Sequence, residues 1–282
     1  MAFCYTLIFT SISNSIINCW AYCIMLINYT QLMFVNPNPK SWILIPALIS
    51  AIFLLLYNFF RIKSKLKNDF LKIAKNVSVI TNGFDSEVLK DEQVILDSKF
   101  TISYIGLLPK QSNPKVFFKV LKDLCDANQD FKNDLKMLFV GDISQEVLLE
   151  IEKNNLIEVT EFKGYVSHSE AIECQKKSQV LLLLIPNVPK SAGILTGKLF
   201  EYLTAKRPIL ALGLEDGDLA EILENTNAGV VIDHQNEAKL STEILKLYKQ
   251  FREGKLSVNS KNLEQYHRKN LTKQLAKIIK NL

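Results

Sequence analysis

Charged side chains are missing from the first 39 residues of this 282-residue chain; Lys40 is the first. None appears again between Ser41 and Phe60. A secretory signal peptide carries a basic stretch ahead of its apolar core, and Phe3 to Ile27 lacks one. Histidine is scarce, with 3 in the chain, and none stands at ligand spacing from any of the 5 cysteines. Cys4, Cys19, Cys23, Cys125 and Cys174 include no C-x-x-C pair, which excludes a zinc site legible by spacing and offers no disulfide framework. They read as small hydrophobes in a reducing compartment. No Gly-x-x-x-x-Gly-Lys is present: Gly193-x-x-x-Gly197-Lys198 is one residue short and does not follow its strand as a P-loop does. No nucleophile stands at a recognised elbow, so a Ser-His-Asp or Cys-His arrangement cannot be argued. The formal net charge of +5 is modest, and basic residues are scattered among acids instead of forming a stripe. Nucleic-acid binding therefore has little support.

What the apolar end does contain is length. Ser41 to Phe60 is about long enough to cross a hydrocarbon core, which takes roughly 20 apolar residues. Trp42 and Tyr57 sit near its ends as interfacial aromatics do, and Arg61, Lys63, Lys65 and Lys67 then place its C-terminal side in the cytoplasm. Phe3 to Ile27 is a second candidate span, diluted by Ser11, Ser13, Asn14, Ser15 and Asn18. With both spans real, the N-terminus and the soluble part share one side. The competing reading is an apolar end left by a truncated or frame-shifted gene. Arg61 to Lys75 reads as a basic amphipathic helix with Ile62, Leu66, Phe70 and Ile73 on one stripe. It suits an anionic membrane surface or, equally, a connecting helix packed on the domain.

From Val77 onward the patterning is that of an α/β protein. Val77 to Ile80 is a β-branched strand candidate that ends on the turn pair Asn82-Gly83. Strands are then expected at Thr101–Gly106, Lys136–Gly141, Ile157–Gly164, Gln179–Ile185, Pro208–Leu212 and Gly229–Ile232. Helices are expected at Pro114–Ala127, Ser144–Lys153, His168–Lys177, from Gly197, at Leu219–Glu224, Glu237–Phe251 and Lys261–Leu282. The run Gln179–Ile185 is apolar throughout, as a strand buried on both faces of a parallel sheet would be. Alternation of this kind predicts a doubly wound sheet. The chain divides accordingly into residues 1–60, 61–76 and 77–282.

One stretch concentrates the candidate chemistry. In Gly193 to Leu210, Thr196-Gly197 opens a short helix, whose free N–H groups and positive dipole end suit a phosphate. Glu201, one turn further in, is placed to accept hydrogen bonds from a sugar's hydroxyl pair. An ordinary loop-to-helix junction explains the same residues equally well. Asp216-Gly217-Asp218 spells D-x-D, but it precedes a helix, so Asp216 or Asp218 reads as an N-cap instead of a cation ligand.

The stretch resembles the donor-binding segment of family 4 glycosyltransferases of the GT-B fold, in the subgroup reading G-K-x-F-E-Y-L-x-x-x-x-P-I-L. Lys198, Phe200, Glu201, Tyr202, Leu203, Pro208, Ile209 and Leu210 all match. Glu201 fits the second member of the family's Glu-x7-Glu pair, and Gly193 stands where the first would be. Val79 to Asp85 resembles the entry to the donor domain. Tyr104-Ile105-Gly106 resembles a turn where the backbone approaches the donor phosphates, with only Lys110 in reach to neutralise them. Gly164, Tyr165 and His168 lie in a segment like the one that borders the nucleotide base. His168 also reads as a loop histidine with no role, and Lys110 as a solvated lysine.

The resemblance implies an α/β, doubly wound Rossmann-like parallel sheet, the C-terminal half of a GT-B fold, and the apolar patterning of residues 1–60 puts one or two transmembrane helices ahead of it. It implies a nucleotide-sugar donor held at Gly106, Lys110, Gly164, Tyr165, His168, Thr196, Gly197, Lys198, Leu199 and Glu201, with no metal or other cofactor. Transfer to a sugar or lipid-linked acceptor at the cytoplasmic side of the cell membrane would follow, in envelope polysaccharide or glycolipid synthesis. A second polypeptide would supply the acceptor half. The alternative is a non-catalytic module that holds a nucleotide-sugar or a partner chain.

Overall fold

The computed structural model describes residues 78–85, 94–188 and 191–280. The expected spans Phe3–Ile27 and Ser41–Phe60 and the amphipathic helix Arg61–Lys75 lie outside the described residues. Among the described residues no helix is long and apolar enough to cross a membrane.

Six strands form one sheet: β1 (Phe100–Ile105), β2 (Leu135–Val140), β3 (Thr160–Gly164), β4 (Val180–Leu184), β5 (Ile209–Leu212) and β6 (Gly229–Ile232). Their order is β3-β2-β1-β4-β5-β6 and every neighbouring pair is parallel. Parallel strands need crossovers, and helices supply them: α1 (Lys115–Ala127), α2 (Gln129–Asp134), α3 (Gln145–Lys153), α4 (His168–Lys177), α5 (Gly197–Thr204), α6 (Asp218–Thr226) and α7 (Glu237–Arg252). A last helix, α8 (Arg268–Lys280), follows the sheet.

Alternation along the strands divides the core into two. Phe100, Ile102 and Tyr104 of β1 share one face with Leu182, Leu184, Leu210 and Leu212 and are covered by α1, α2, α3 and α7. Ile105, Leu181, Leu183, Ile209 and Ala211 face the other way, onto α4, α5 and α6. Each such side chain contributes about 1.5–3 kcal/mol on burial, so a sheet covered on both faces is the stable outcome for apolar runs like β4. The order of strands reverses direction between β1 and β4. Open α/β sheets hold ligands there, beyond the carboxyl ends.

Several expectations are corrected. Residues 78–82 form no strand; Phe84 makes a single bridge to His267 instead. Ile157–Val159 is a 3-10 turn, so β3 begins at Thr160, and it is a largely exposed edge. The cap of α6 is Gly217, and neither Asp216 nor Asp218 bonds a helix amide through its side chain. Helix α5 stops at Thr204, ahead of Pro208, and Lys206 adopts φ 53°. The expected helix Lys261–Leu282 is interrupted: Asn262 has φ 57°, Leu263–Tyr266 is a 3-10 turn, and α8 begins at Arg268. Tyr266 is buried there against Phe200, ring centroids 5.7 Å apart, and its carbonyl accepts from Phe84 N–H at 3.1 Å. Docking of that ring outweighs helix propensity over a turn. Helix α2 was not expected; Asn128 caps it by accepting from Phe131 N–H at 3.0 Å.

Candidate functional site

Helix α5 is fixed to the carboxyl end of β1 by one side chain. Tyr202 is fully buried, and its hydroxyl accepts from the Ile105 amide at 3.0 Å. Burial pushes the phenol far above its ordinary value, so it stays neutral and able to hold that bond. Leu199, Phe200 and Leu203 are buried on the same helix and set its depth. Lys198 is four residues before Tyr202 and therefore lies on the same face, one turn closer to the helix start.

That spacing carries the Lys198 ammonium over the end of β1. Its Nζ donates to the Tyr104 hydroxyl at 2.5 Å and to the Leu107 carbonyl at 3.3 Å, and stands 4.0 Å from the Tyr104 ring centroid. Gly106 lies directly beneath, with φ 114°; a Cβ there would come within 2.6 Å of Lys198 Cε. The positive φ favours glycine at Gly106, while the clash asks only that a flexible lysine side chain move. Burial pushes the ammonium down to about 8, against the opposing pull of Glu201. The same burial pushes the Tyr104 phenol up to about 12. A cation held partly out of water, with two neutral oxygens as partners, has unsatisfied affinity for an anion.

The rest of the rim is backbone. Gly106, Gly141 and Gly164 end β1, β2 and β3, and all have positive φ. Gly106 N–H donates to Val140 C=O at 2.7 Å and Gly141 N–H to Gly164 C=O at 2.6 Å. A Cβ on Gly141 would meet the Gly106 carbonyl at 3.0 Å, so the turns pack closely without side chains. Thr196 occupies the cap position of α5 without capping it, and its hydroxyl is buried with no hydrogen-bond partner among the described residues. Gly197 follows, exposed, with Asn82 Nδ2 3.8 Å from where a Cβ would be. Glu201 is half-buried, and its Oε2 accepts from Gln175 Nε2 at 3.3 Å. Gln175 is itself buried, and its Oε1 has no partner among the described residues.

The structure thus brings Gly106, Thr196, Gly197, Lys198 and Glu201 to the switch point or to the helix that overhangs it. Leu199 belongs to the core; its side chain is fully buried and its amide donates to Thr196 C=O at 3.2 Å. Lys110 turns away: it lies in a 3-10 turn, exposed, with Nζ 4.0 Å from Glu146 Oε1 on α3. Tyr165 is 91% exposed beyond Gly164, and His168 is exposed at the start of α4, where Ser167 provides the cap by accepting from Glu170 N–H at 3.3 Å. Among the described residues no group of three His, Cys, Asp or Glu side chains is placed to hold a metal ion.

Sequence reasoning named Tyr104 and Asn82 only as members of their segments, with no contact assigned to either side chain, and it missed Gly141 and Gln175. Gly141 carried a usable signal, a glycine closing an apolar strand, and Tyr104 one in its Tyr-x-Gly turn, whereas Gln175 gave none. His234 also had no recommending neighbourhood in sequence. It stands half-buried past the end of β6, hydrogen-bonded to the Ile185 backbone, and burial lowers its pKa.

Residues 85–269 match the family model described as "Glycosyl transferases group 1". No curated protein sequence matches the chain. Among solved structures, a glycosyltransferase from Rickettsia africae is similar at TM-score 0.56 and 15% identity, over 73% of this chain and 57% of that one. Anabaena HepE in complex with UDP-glucose is similar at TM-score 0.55 and 15% identity, over 73% and 57%. The pneumococcal O-GlcNAc transferase GtfA, in complex with UDP and GlcNAc, gives TM-score 0.54 and 15% identity, over 78% and 43%. The chain therefore spans about half the length of the structures it matches.

Proposed function

The chain belongs to the glycosyl transferases group 1 family, and from that premise we propose that it binds a nucleotide-sugar donor at the carboxyl edge between β1 and β4. The observation that carries the proposal is the Lys198 ammonium held over Gly106, with no carboxylate among the described residues at hydrogen-bond distance from it. In this reading the diphosphate lies between Gly106 and the start of α5. The amides near Thr196, Gly197 and Lys198 would receive it, as would the orphan Thr196 hydroxyl. Glu201, steadied by Gln175, would accept from the ribose hydroxyls. Charge developing on the leaving diphosphate would be met by Lys198 and the helix dipole, with no covalent protein intermediate.

The family 4 subgroup is the finer assignment that we favour, on the segment Gly197 to Leu210. We further propose a sugar or lipid-linked acceptor, an envelope polysaccharide or glycolipid product, and a cytoplasm-facing site at the cell membrane through the apolar residues 1–60. Residues 61–76 would then link that region to the donor domain, and no metal or other cofactor enters the reading. Similar structures are complexes with UDP-glucose or with UDP and GlcNAc, which supports the donor class.

A second reading has an observation of its own. Lys110 points to Glu146, and Gly193 offers no carboxylate, which favours a role in holding a donor over one in promoting transfer. The chain would then be a donor-holding module that acts only when a second polypeptide brings the acceptor. Calorimetric titration with a panel of nucleoside diphosphates tests the shared premise: one of them should bind, and binding by none would remove the donor site. Incubation of the lone chain with radiolabelled nucleotide-sugars and membrane lipid extract separates the two readings, since robust turnover is expected only of the first.

A further inference from the structure

Two opposite charges stand one turn apart on α5. Lys198 and Glu201 are separated by three residues, a spacing at which a lysine and a glutamate are neighbours on a helix and attract each other. Among the described residues no ion pair joins them; each is held by neutral groups instead. Lys198 Nζ donates to the Tyr104 hydroxyl at 2.5 Å and the Leu107 carbonyl at 3.3 Å. Glu201 Oε2 accepts from Gln175 Nε2 at 3.3 Å. The carboxylate still acts on the ammonium at a distance, opposing the fall in pKa that burial causes.

Gln175 reaches Glu201 from a fixed frame. It is 1% exposed on α4, and the residues after it are tied to β1. Ser178 Oγ lies 2.6 Å from Ser103 Oγ and from Cys174 C=O, and Gln179 N–H donates to Thr101 C=O at 3.1 Å. Helix α5 is tied to the same strand through Tyr202 and the Ile105 amide. Only the amino end of a side-chain amide can donate to a carboxylate, so the orientation of Gln175 is determined by Glu201. An apolar side chain of the same length would fill this volume without burying a polar group. What the amide adds is the bond to Glu201.

We propose that Gln175 is a positioning residue: it holds the Glu201 carboxylate off Lys198, so that both charges stay open to a ligand instead of neutralising each other. The identity of that ligand rests on the donor reading above; the separation of the charges does not. Without the amide, Glu201 turns onto Lys198. The cation that would meet an anion is then cancelled, and the carboxylate that would accept from hydroxyls is occupied.

The first readout needs no ligand. The full chain carries carbon-13-labelled lysine, and the Lys198 side-chain resonance, identified by its loss in Lys198→Arg, is followed against pH. Tyr104, the other titratable group at the ammonium, has its phenol pushed up to about 12 and stays neutral over the range. Gln175→Met keeps the length of the side chain and removes the donor. It should raise the Lys198 midpoint by about one pH unit, as a carboxylate moving into contact does. Gln175→Glu, of the same shape but with no donor when ionised, should raise it too. In Gln175→Met/Glu201→Ala the midpoint should match that of Glu201→Ala alone, because no carboxylate remains to move. The second readout is calorimetric titration with inorganic pyrophosphate near neutral pH. Gln175→Met should bind it several-fold more weakly than wild type, and adding Glu201→Ala should restore the binding. A merely structural role would lower affinity with or without Glu201 and leave the midpoint alone. An unchanged Lys198 midpoint in both folded Gln175 variants would overturn the proposal, as would a loss of pyrophosphate binding that Glu201→Ala does not restore. A shifted midpoint in a chain whose wild type binds neither pyrophosphate nor any nucleoside diphosphate would support the role of Gln175 and remove the donor reading alone.

Discussion

Tyr202→Phe removes one oxygen and leaves every apolar contact of the ring in place. The Ile105 amide then faces a buried site with no acceptor, because the Tyr202 hydroxyl is its partner at 3.0 Å. A buried donor left unpaired costs about 1–3 kcal/mol. For a domain of this size, each kcal/mol moves the melting midpoint by about 2–4 °C, so a fall of roughly 2–12 °C is expected. The loss should also loosen α5 against β1 and carry Lys198 with it, since the two side chains share a face. Urea unfolding with an unchanged slope, followed by nucleoside diphosphate titration of the folded variant, measures both effects. A midpoint indistinguishable from wild type would refute the claim that this hydroxyl holds the helix to the strand.

Gly106→Ala should cost about 1–3 kcal/mol from the φ of 114° alone. The clash at 2.6 Å is with the flexible Lys198 side chain, which can move aside, so diphosphate affinity should fall with stability in a paired thermal and binding assay. Gly229→Ala meets the Ile209 carbonyl at 2.0 Å, where backbone has nowhere to go. At the opposite end of the sheet from the site, it should destabilise by more than about 3 kcal/mol in urea unfolding. The lowered Lys198 pKa of about 8 predicts a pH-dependent affinity. A bound diphosphate favours the charged ammonium and raises that pKa, so the free protein loses the proton first as pH rises. Diphosphate affinity should be level below pH ~7 and fall by up to about tenfold per pH unit above 8. Lys198→Arg should abolish that slope if the lysine is its source.

Legibility in the sequence followed the range of the interaction. The run Gln179–Ile185 reads as a strand buried on both faces because its partners make no demand beyond apolarity, and β4 covers Val180–Leu184. The start of α5 at Gly197 is equally local. Asn128 was a legible cap that went unread, because α1 ends just before it. Tyr202 is different. Its partner is Ile105, 97 residues away, and nothing in Phe200-Glu201-Tyr202-Leu203 distinguishes a tyrosine that binds an amide from one that only fills space. The same applies to Tyr266, whose docking on Phe200 breaks a segment that periodicity alone would continue as helix. Lys110 shows the converse: proximity to Gly106 in sequence suggested a shared task, but a turn and Glu146 direct it elsewhere.

The central claim is that α5 divides donor recognition between Lys198 for the diphosphate and Glu201 for the ribose. Its most direct test titrates the preferred nucleoside diphosphate and the matching nucleoside against wild type, Lys198→Met and Glu201→Ala. Glu201→Ala should weaken both ligands by about 1.5–3 kcal/mol, the range for hydrogen bonds to charged groups. Lys198→Met should weaken the diphosphate alone and leave the nucleoside unchanged. Wild-type affinity in either folded variant, or equal losses for nucleoside and diphosphate in Lys198→Met, would contradict it.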